Sequence, residues 1–188
     1  MDETIGYAAC LRGLNVGSKH RVRMEDLKAL FLQVGALDVE TLIQSGNVVF
    51  RSGLPEQALV SDLTVGFRER FGFDAPVLLR TGQELEEILS GCPFSHEQIS
   101  EASRGADVEH LHVALMEAVP ARDAVERISA YAGPGEAIAF GGRNAWLLVR
   151  DGIHASRIAA NLQRLNVPVT LRNWNTVRRL ADMLAERG

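Results

Sequence analysis

The feature that most restricts what this chain can become is an alternation of apolar periods that runs through it twice. Short apolar runs of strand character recur at residues 6–11, 39–44, 48–51 and 75–80. Between them, Leu27, Leu30, Phe31 and Val34 mark a helix over residues 24–34, and Leu59, Leu63, Phe67 and Phe71 mark another over 55–71. Gly35 stands where a helix C-terminus favours glycine, and Pro55 suits a first helical turn. Ser45-Gly46-Asn47 joins the second and third strands and is a strong hairpin signal. The order is β-α-β-β-α-β. Thr81 then caps a further helix, with Glu84 three residues on completing a capping box.

The second half follows the same order. Residues 111–116 read as a strand and 121–131 as a helix with Val125 and Ile128 inward. A strand pair at 136–140 and 145–149 turns at Gly141-Gly142-Arg143-Asn144. A helix is expected over 153–165 with Asp151 as its cap, then a short strand at 167–171 and a closing helix over about 174–186. Two successive units of this kind are the ferredoxin-like, split-βαβ pattern. The expected fold class is therefore α+β: two ferredoxin-like subdomains in tandem with a C-terminal helix. The expected division is an N-terminal subdomain over 1–83, an acidic helix and linker over 84–109, and a C-terminal subdomain over 110–188. The middle segment carries Glu84, Glu86, Glu87, Glu97, Glu101, Asp107 and Glu109 against one base, Arg104.

Composition narrows the function classes. Of 188 residues, 46% are hydrophobic and 23% charged, with a formal net charge of −4. These values suit an ordinary globular chain and exclude a globally basic nucleic-acid binder, although a local basic patch still sets its own field. The start, Met1-Asp2-Glu3-Thr4, lacks the positive charge of a secretory leader, and no run nears the roughly 18 apolar residues of a membrane span. Cys10 and Cys92 are too few for a disulfide framework. A cytoplasmic protein in a reducing compartment, with no membrane partner, is the expectation. His110 and His112 share a face of one strand, but no third ligand lies near in sequence, so neither a metal nor a cofactor is expected.

The connection after the first strand is unusual. Arg12-Gly13-Leu14-Asn15-Val16-Gly17-Ser18-Lys19-His20-Arg21-Val22-Arg23 spans 12 residues, where about 2–6 are typical. It holds Arg12, Lys19, Arg21 and Arg23 with no acid, and Gly13 and Gly17 allow close backbone approach. It also feeds a helix N-terminus, whose free N–H groups favour an anion. The spacing is neither that of a Walker loop nor of a dinucleotide fingerprint. In this topology the first connection and the hairpin leave the sheet at the same end, which brings Gln44, Ser45 and Asn47 near Arg12 and Asn15. The candidate ligand-binding set is thus Arg12, Gly13, Asn15, Gly17, Lys19, Arg21, Gln44, Ser45 and Asn47. Arg172, Asn173 and Trp174 are secondary candidates, with Asn173 as a helix cap and Trp174 as a core plug the plainer roles. The plainer reading of the loop itself is a solvated basic segment that caps a helix.

The run Cys10-Leu11-Arg12-Gly13-Leu14-Asn15-Val16-Gly17, with Met24-Glu25-Asp26-Leu27 and Ile43-Gln44-Ser45-Gly46-Asn47-Val48-Val49-Phe50, closely resembles a large, mainly bacterial family catalogued as domain of unknown function 1697. The closing Thr170-Leu171-Arg172-Asn173-Trp174-Asn175-Thr176-Val177 is similar to that family's final motif. Ser18 stands where the family is expected to have a second glycine after Gly17. The resemblance implies a two-subdomain α+β fold and no established reaction.

Three functions follow as expectations. The first is binding of a phosphorylated or other anionic ligand, a small molecule or a nucleic acid held through its phosphates, at residues 12–23. The second is an enzyme acting on a small phosphorylated or carboxylated substrate, with His20 and Glu25 as the nearest acid–base groups. The third is an interaction module that forms a homodimer. RNA-recognition sheets share the topology but stack bases on exposed aromatics. Here the first and third strands offer only Tyr7 and Phe50.

Overall fold

The computed structural model describes residues 4–15, 20–43, 46–104 and 109–187. The chain divides into two compact units, residues 1–87 with 179–188, and residues 88–178.

The first unit holds β1 (Ile5–Leu11), α1 (Met24–Gln33), β2 (Leu37–Leu42), β3 (Asn47–Ser52), α2 (Glu56–Phe71), β4 (Val77–Thr81) and the opening of α3 (Gly82–Ser90). Its sheet runs β2-β3-β1-β4, with every neighbouring pair antiparallel. β1 and β2 are therefore parallel to each other with β3 between them, as the split-βαβ reading requires. Alternation along β1 turns Tyr7, Ala9 and Leu11 toward Leu27, Leu30 and Phe31 of α1 and Leu59, Leu63 and Phe67 of α2. Ala8 and Cys10 point the other way and are buried as well. A strand buried on both faces reads in sequence as an unbroken apolar run, which is how β1 was legible. Tyr7 and Phe50 stack on each other, centroids 5.7 Å apart, inside this core. They form no exposed platform for bases.

The second unit continues with α4 (His96–Ala102), β5 (Leu111–Met116), α5 (Arg122–Ser129), β6 (Glu136–Gly141), β7 (Asn144–Val149), α6 (Arg157–Asn161), β8 (Val169–Asn173) and the start of α7 (Trp174–Ala185). Its sheet runs β6-β7-β5-β8, the same order as the first. Ala114, Met116, Leu147 and Val169 pack there against Ala124, Ile128, Ile158 and Leu162. The fold class is thus the expected one: two four-stranded antiparallel sheets with helices, and a C-terminal helix.

One local expectation needs correction. The helix over 153–165 is broken into a 3-10 turn at Ile153–Ala155, the short α6, and a second 3-10 turn at Leu162–Leu165. Ser156, and not Asp151, caps α6, its side chain accepting from the Ala159 N–H at 3.0 Å. A hydroxyl in mid-segment competes for backbone N–H groups and restarts the helix there. Within 84–109, α4 opens with a full capping box, Ser95 and Gln98 each accepting the other's backbone N–H. Its apolar residues, Ile99 and Ala102, pack with Leu111, Leu148 and Trp174.

Candidate functional site

Three connections of the first unit meet at one end of its sheet. Leu11, the last residue of β1, donates its N–H to Gly46 O at 2.8 Å, and Arg12 donates to Pro76 O at 3.1 Å. The first binds the loop to the β2–β3 hairpin and the second to the chain entering β4. Gly46 has a φ of +75°, and a Cβ there would lie 2.9 Å from Leu14 Cδ1. Only glycine allows the hairpin to press this closely on the loop. The expected adjacency of loop and hairpin is present.

The loop is closed by Asn15. Its Oδ1 accepts from Val22 N–H at 2.9 Å and its Nδ2 donates to Val22 O at 3.1 Å. Its own N–H donates to His20 O at 3.1 Å. Asn15 and His20 both hold a φ of +56°, and asparagine tolerates that region because its amide bonds locally. The side chain thus imitates a peptide unit and fixes Asn15 to Val22. His20 is exposed, and its ring stacks on Phe73 at 4.3 Å with the planes 14° apart.

Beyond the clamp, Arg21 and Arg23 are exposed on either side of buried Val22. They line, with Asn15, Met24 and Glu25, an open cleft of about 500 Å³. Arg23 is the N-cap of α1, with extended backbone and no side-chain cap bond. The first N–H groups of α1 therefore lack the side-chain acceptor that such ends usually recruit. Arg12 is half-buried at the base of the loop and Gly13 exposed, with a φ of +78°. Among the described residues, Arg12, Arg21 and Arg23 form no ion pair, whereas Arg51, Arg68, Arg70 and Arg187 of the same unit each face an acid.

Asn47 of the hairpin is fully buried and bonds Leu42 O with its Nδ2 at 3.4 Å. Gly17, Lys19, Gln44 and Ser45 lie outside the described residues. The secondary candidates belong to the second unit. Arg172 is buried and donates from Nη1 to Thr170 Oγ1 and Leu171 O, both at 2.8 Å. Asn173 caps α7 by accepting the Thr176 N–H at 2.8 Å. Trp174 is half-buried against Leu111 and Leu148. Among the described residues, no three His, Cys, Asp or Glu side chains gather to hold a metal, and no helix is long and apolar enough to cross a membrane.

Residues that sequence patterning passed over include Phe73, which carries the His20 ring, and Arg80, whose guanidinium is only 1% exposed. Arg80 had a signal: it is the one charge in the apolar run Val77-Leu78-Leu79-Arg80. Phe73 had none, because its partner is 53 positions away in the sequence.

Two repeats of one split-βαβ unit, the first with a cationic mouth, define an α+β protein of tandem ferredoxin-like halves. Residues 5–146 match the family described as protein of unknown function (DUF1697), and the chain belongs to that family. A solved structure of a conserved bacterial protein from Streptococcus pneumoniae is similar to it, with a TM-score of 0.75 at 25% identity over 97% of this chain and 99% of that one. A search of curated proteins gives no match.

Proposed function

We propose that the mouth of the first unit binds a phosphorylated ligand, a nucleotide or the phosphates of a nucleic acid, on Arg12, Arg21 and Arg23 at the start of α1. The observation that carries this reading is the lack of any acidic partner for these three guanidiniums among the described residues. A guanidinium already tied to a carboxylate gains little from a phosphate, whereas a free one forms charge-assisted, bidentate bonds. The side-chain-uncapped end of α1 adds backbone donors and the positive end of the helix dipole. Asn15 serves by keeping the loop in shape, since both ends of its amide are engaged by Val22. Gly17, Lys19, Gln44 and Ser45 complete the proposed set from the adjoining loop and hairpin.

The test is calorimetric and thermal-shift titration of the full chain with ADP, glucose 6-phosphate and a short single-stranded RNA. Binding should weaken steeply as salt rises. Arg21→Ala with Arg23→Ala should abolish it while stability moves by no more than about 0.5 kcal/mol, because both side chains are exposed. No response to any of the three, or an undiminished response in the double variant, overturns the reading.

A further inference from the structure

Each sheet has two edge strands, and the four edges are finished differently. β4 and β8 are mostly buried. β2 carries Asp38 and Glu40, and its register against β3 shifts between Leu37 and Glu40. Acids and a bulge are common means of refusing a further strand. β6 lacks both. It pairs with β7 in unbroken register from Glu136 opposite Val149 to Gly141 opposite Asn144, and each of its residues is partly exposed. Ala137, Ile138, Ala139 and Phe140 are apolar, and the one charge, Glu136, is held within its own unit. Its carboxylate accepts the N–H of Gly133 at 3.2 Å and of Arg157 at 2.9 Å.

The ladder decides which backbone groups of β6 face outward. Val149 donates its N–H to His110 O at 2.9 Å, so Val149, and with it Leu147 and Ala145, turns its backbone toward β5. Their partners on β6, Glu136, Ile138 and Phe140, therefore turn theirs to the open edge. Glu136 already donates its N–H to Gly133 O at 3.1 Å. The N–H and C=O groups of Ile138 and Phe140, and the C=O of Glu136, have no backbone partner among the described residues. Such a row is a template for another strand.

We propose that the strand taken up is β6 of a second copy of this chain, antiparallel to the first about a two-fold axis at Ile138. The Ile138 residues exchange both backbone bonds, and each Phe140 N–H donates to the C=O of Glu136 in the other copy. This register never sets Glu136 against Glu136, so no like charges are opposed. The side chains favour a copy as the occupant. Ile138 and Phe140 lie on the helix-covered face with Ile128 and Ile158, so each copy continues the other's apolar face. On the opposite face, Ile99 and Ala102 of α4 pack with Ala137. An added strand there sends alternate side chains toward Gln98 and Glu101, beside Ala137, where a groove of about 190 Å³ lies. β6 offers only Ala137, Ala139 and Gly141 on that face, all small enough to enter. A shared edge about 20 Å long and about 10 Å deep covers far less than the roughly 1,200 Å² of stable interfaces. The pairing is therefore weak and reversible, and it shares no residue with the cleft at Arg21 and Arg23.

The experiment is sedimentation velocity and amide hydrogen exchange of the full chain over the weak-association range of about 20 μM to about 1 mM. The sedimentation coefficient should rise with concentration toward that of a dimer. The Ile138 and Phe140 amides should exchange several-fold more slowly at the top of the range, and those of β2 should not change. Ala139→Lys, which places a long cationic chain on the small-residue face, should abolish both effects. Leu37→Lys, at an exposed position on β2, should leave both intact. The register has its own readout. It opposes residue 137 of one copy to residue 139 of the other as a pair not hydrogen-bonded, with Cα atoms about 4.5 Å apart, within disulfide range. Ala137→Cys and Ala139→Cys chains, each also carrying Cys92→Ser, should cross-link on oxidation faster as a mixture than either alone. A sedimentation coefficient independent of concentration overturns the proposal. So does association that survives Ala139→Lys or is lost in Leu37→Lys, or cross-linking no faster in the mixture.

Discussion

Arg80 and Arg172 are the same residue of two related units. Each is the fourth residue of its unit's last strand, Arg80 opposite Ala8 on β1 and Arg172 opposite Val113 on β5. Each is buried, and each donates from Nη1 to the carbonyl of the residue before it, Leu79 O at 2.7 Å and Leu171 O at 2.8 Å. Each precedes a helix cap: Thr81 Oγ1 accepts the Glu84 N–H at 3.2 Å, and Asn173 Oδ1 accepts the Thr176 N–H at 2.8 Å. Their neighbours Leu79 and Leu171 pack toward the helices, so both arginines lie on the opposite sheet face.

A buried guanidinium is tolerated only when its donors are met, and removing it strands those partners. Arg80→Met and Arg172→Met are each expected to lower stability by about 3 kcal/mol, measured by urea unfolding. Lysine should not rescue either position, because an ammonium cannot reproduce the planar fork. A neutral Arg172→Met would show that its bonds to Thr170 and Leu171 carry no net stability.

Asn15 is a clamp by geometry, so its truncation should be felt in the fold of the loop. Asn15→Ala removes both side-chain bonds to Val22 and leaves alanine at a φ of +56°. The expected loss is about 2 kcal/mol. Asn15→Gly, which keeps the backbone conformation and loses only the bonds, should lie between the two. Denaturant midpoints of the three proteins order these outcomes. Equal midpoints for asparagine and alanine would mean that the loop is held elsewhere.

Such cases mark where sequence was readable. Gly46-Asn47 declared the hairpin, and Thr81 with Glu84 declared the start of α3, because turns and caps are set by residues close in the chain. The strand order of the first sheet followed from the element order alone. The broken helix at 153–165 misled because Ile158, Leu162 and Leu165 keep helical spacing through the breaks. Core burial enforces that spacing whether or not the backbone stays α-helical. The short α4 was passed over although Ser95 and Gln98 carry its capping box, since seven residues offer too little periodicity to stand out. At the candidate site the charges were legible one by one. Which of them lack an acidic partner was not, because Arg70 meets Asp26 and Arg187 meets Glu40 across long stretches of sequence.

Gly66 of α2 faces Leu30 of α1 at close range. A Cβ at this position would lie 2.7 Å from Leu30 Cδ1, and Leu30 is only 1% exposed, so any shift must be made within a close-packed core. Helix propensity alone favours Gly66→Ala by up to about 1 kcal/mol. Overpacking should reverse the sign and leave a net loss of about 1 kcal/mol. Leu30→Val in the same chain should recover part of it, so a double-mutant cycle will show coupling between the two positions. Simple additivity would show that the helices separate without strain.

His112 gives the second unit an acid-sensitive point. It lies on β5, 6% exposed, with Nδ1 buried and unpartnered. Burial lowers its pKa below the usual 6.5, and His110 and His154 add to the lowering, against an opposing pull from Glu109 and a hydrogen bond to the His110 backbone. The neutral ring is therefore the folded form, while the unfolded chain takes up its proton near pH 6.5. The unfolded state binds more protons below that point, so the contribution is complete above about 6.5 and declines as pH falls toward the lowered folded value. His112→Leu, which keeps the position apolar, should flatten this acid limb. Urea midpoints between about pH 7.5 and pH 5.5 should fall more in the parent protein than in the variant. Parallel limbs in the two proteins would assign the acid loss to groups other than His112.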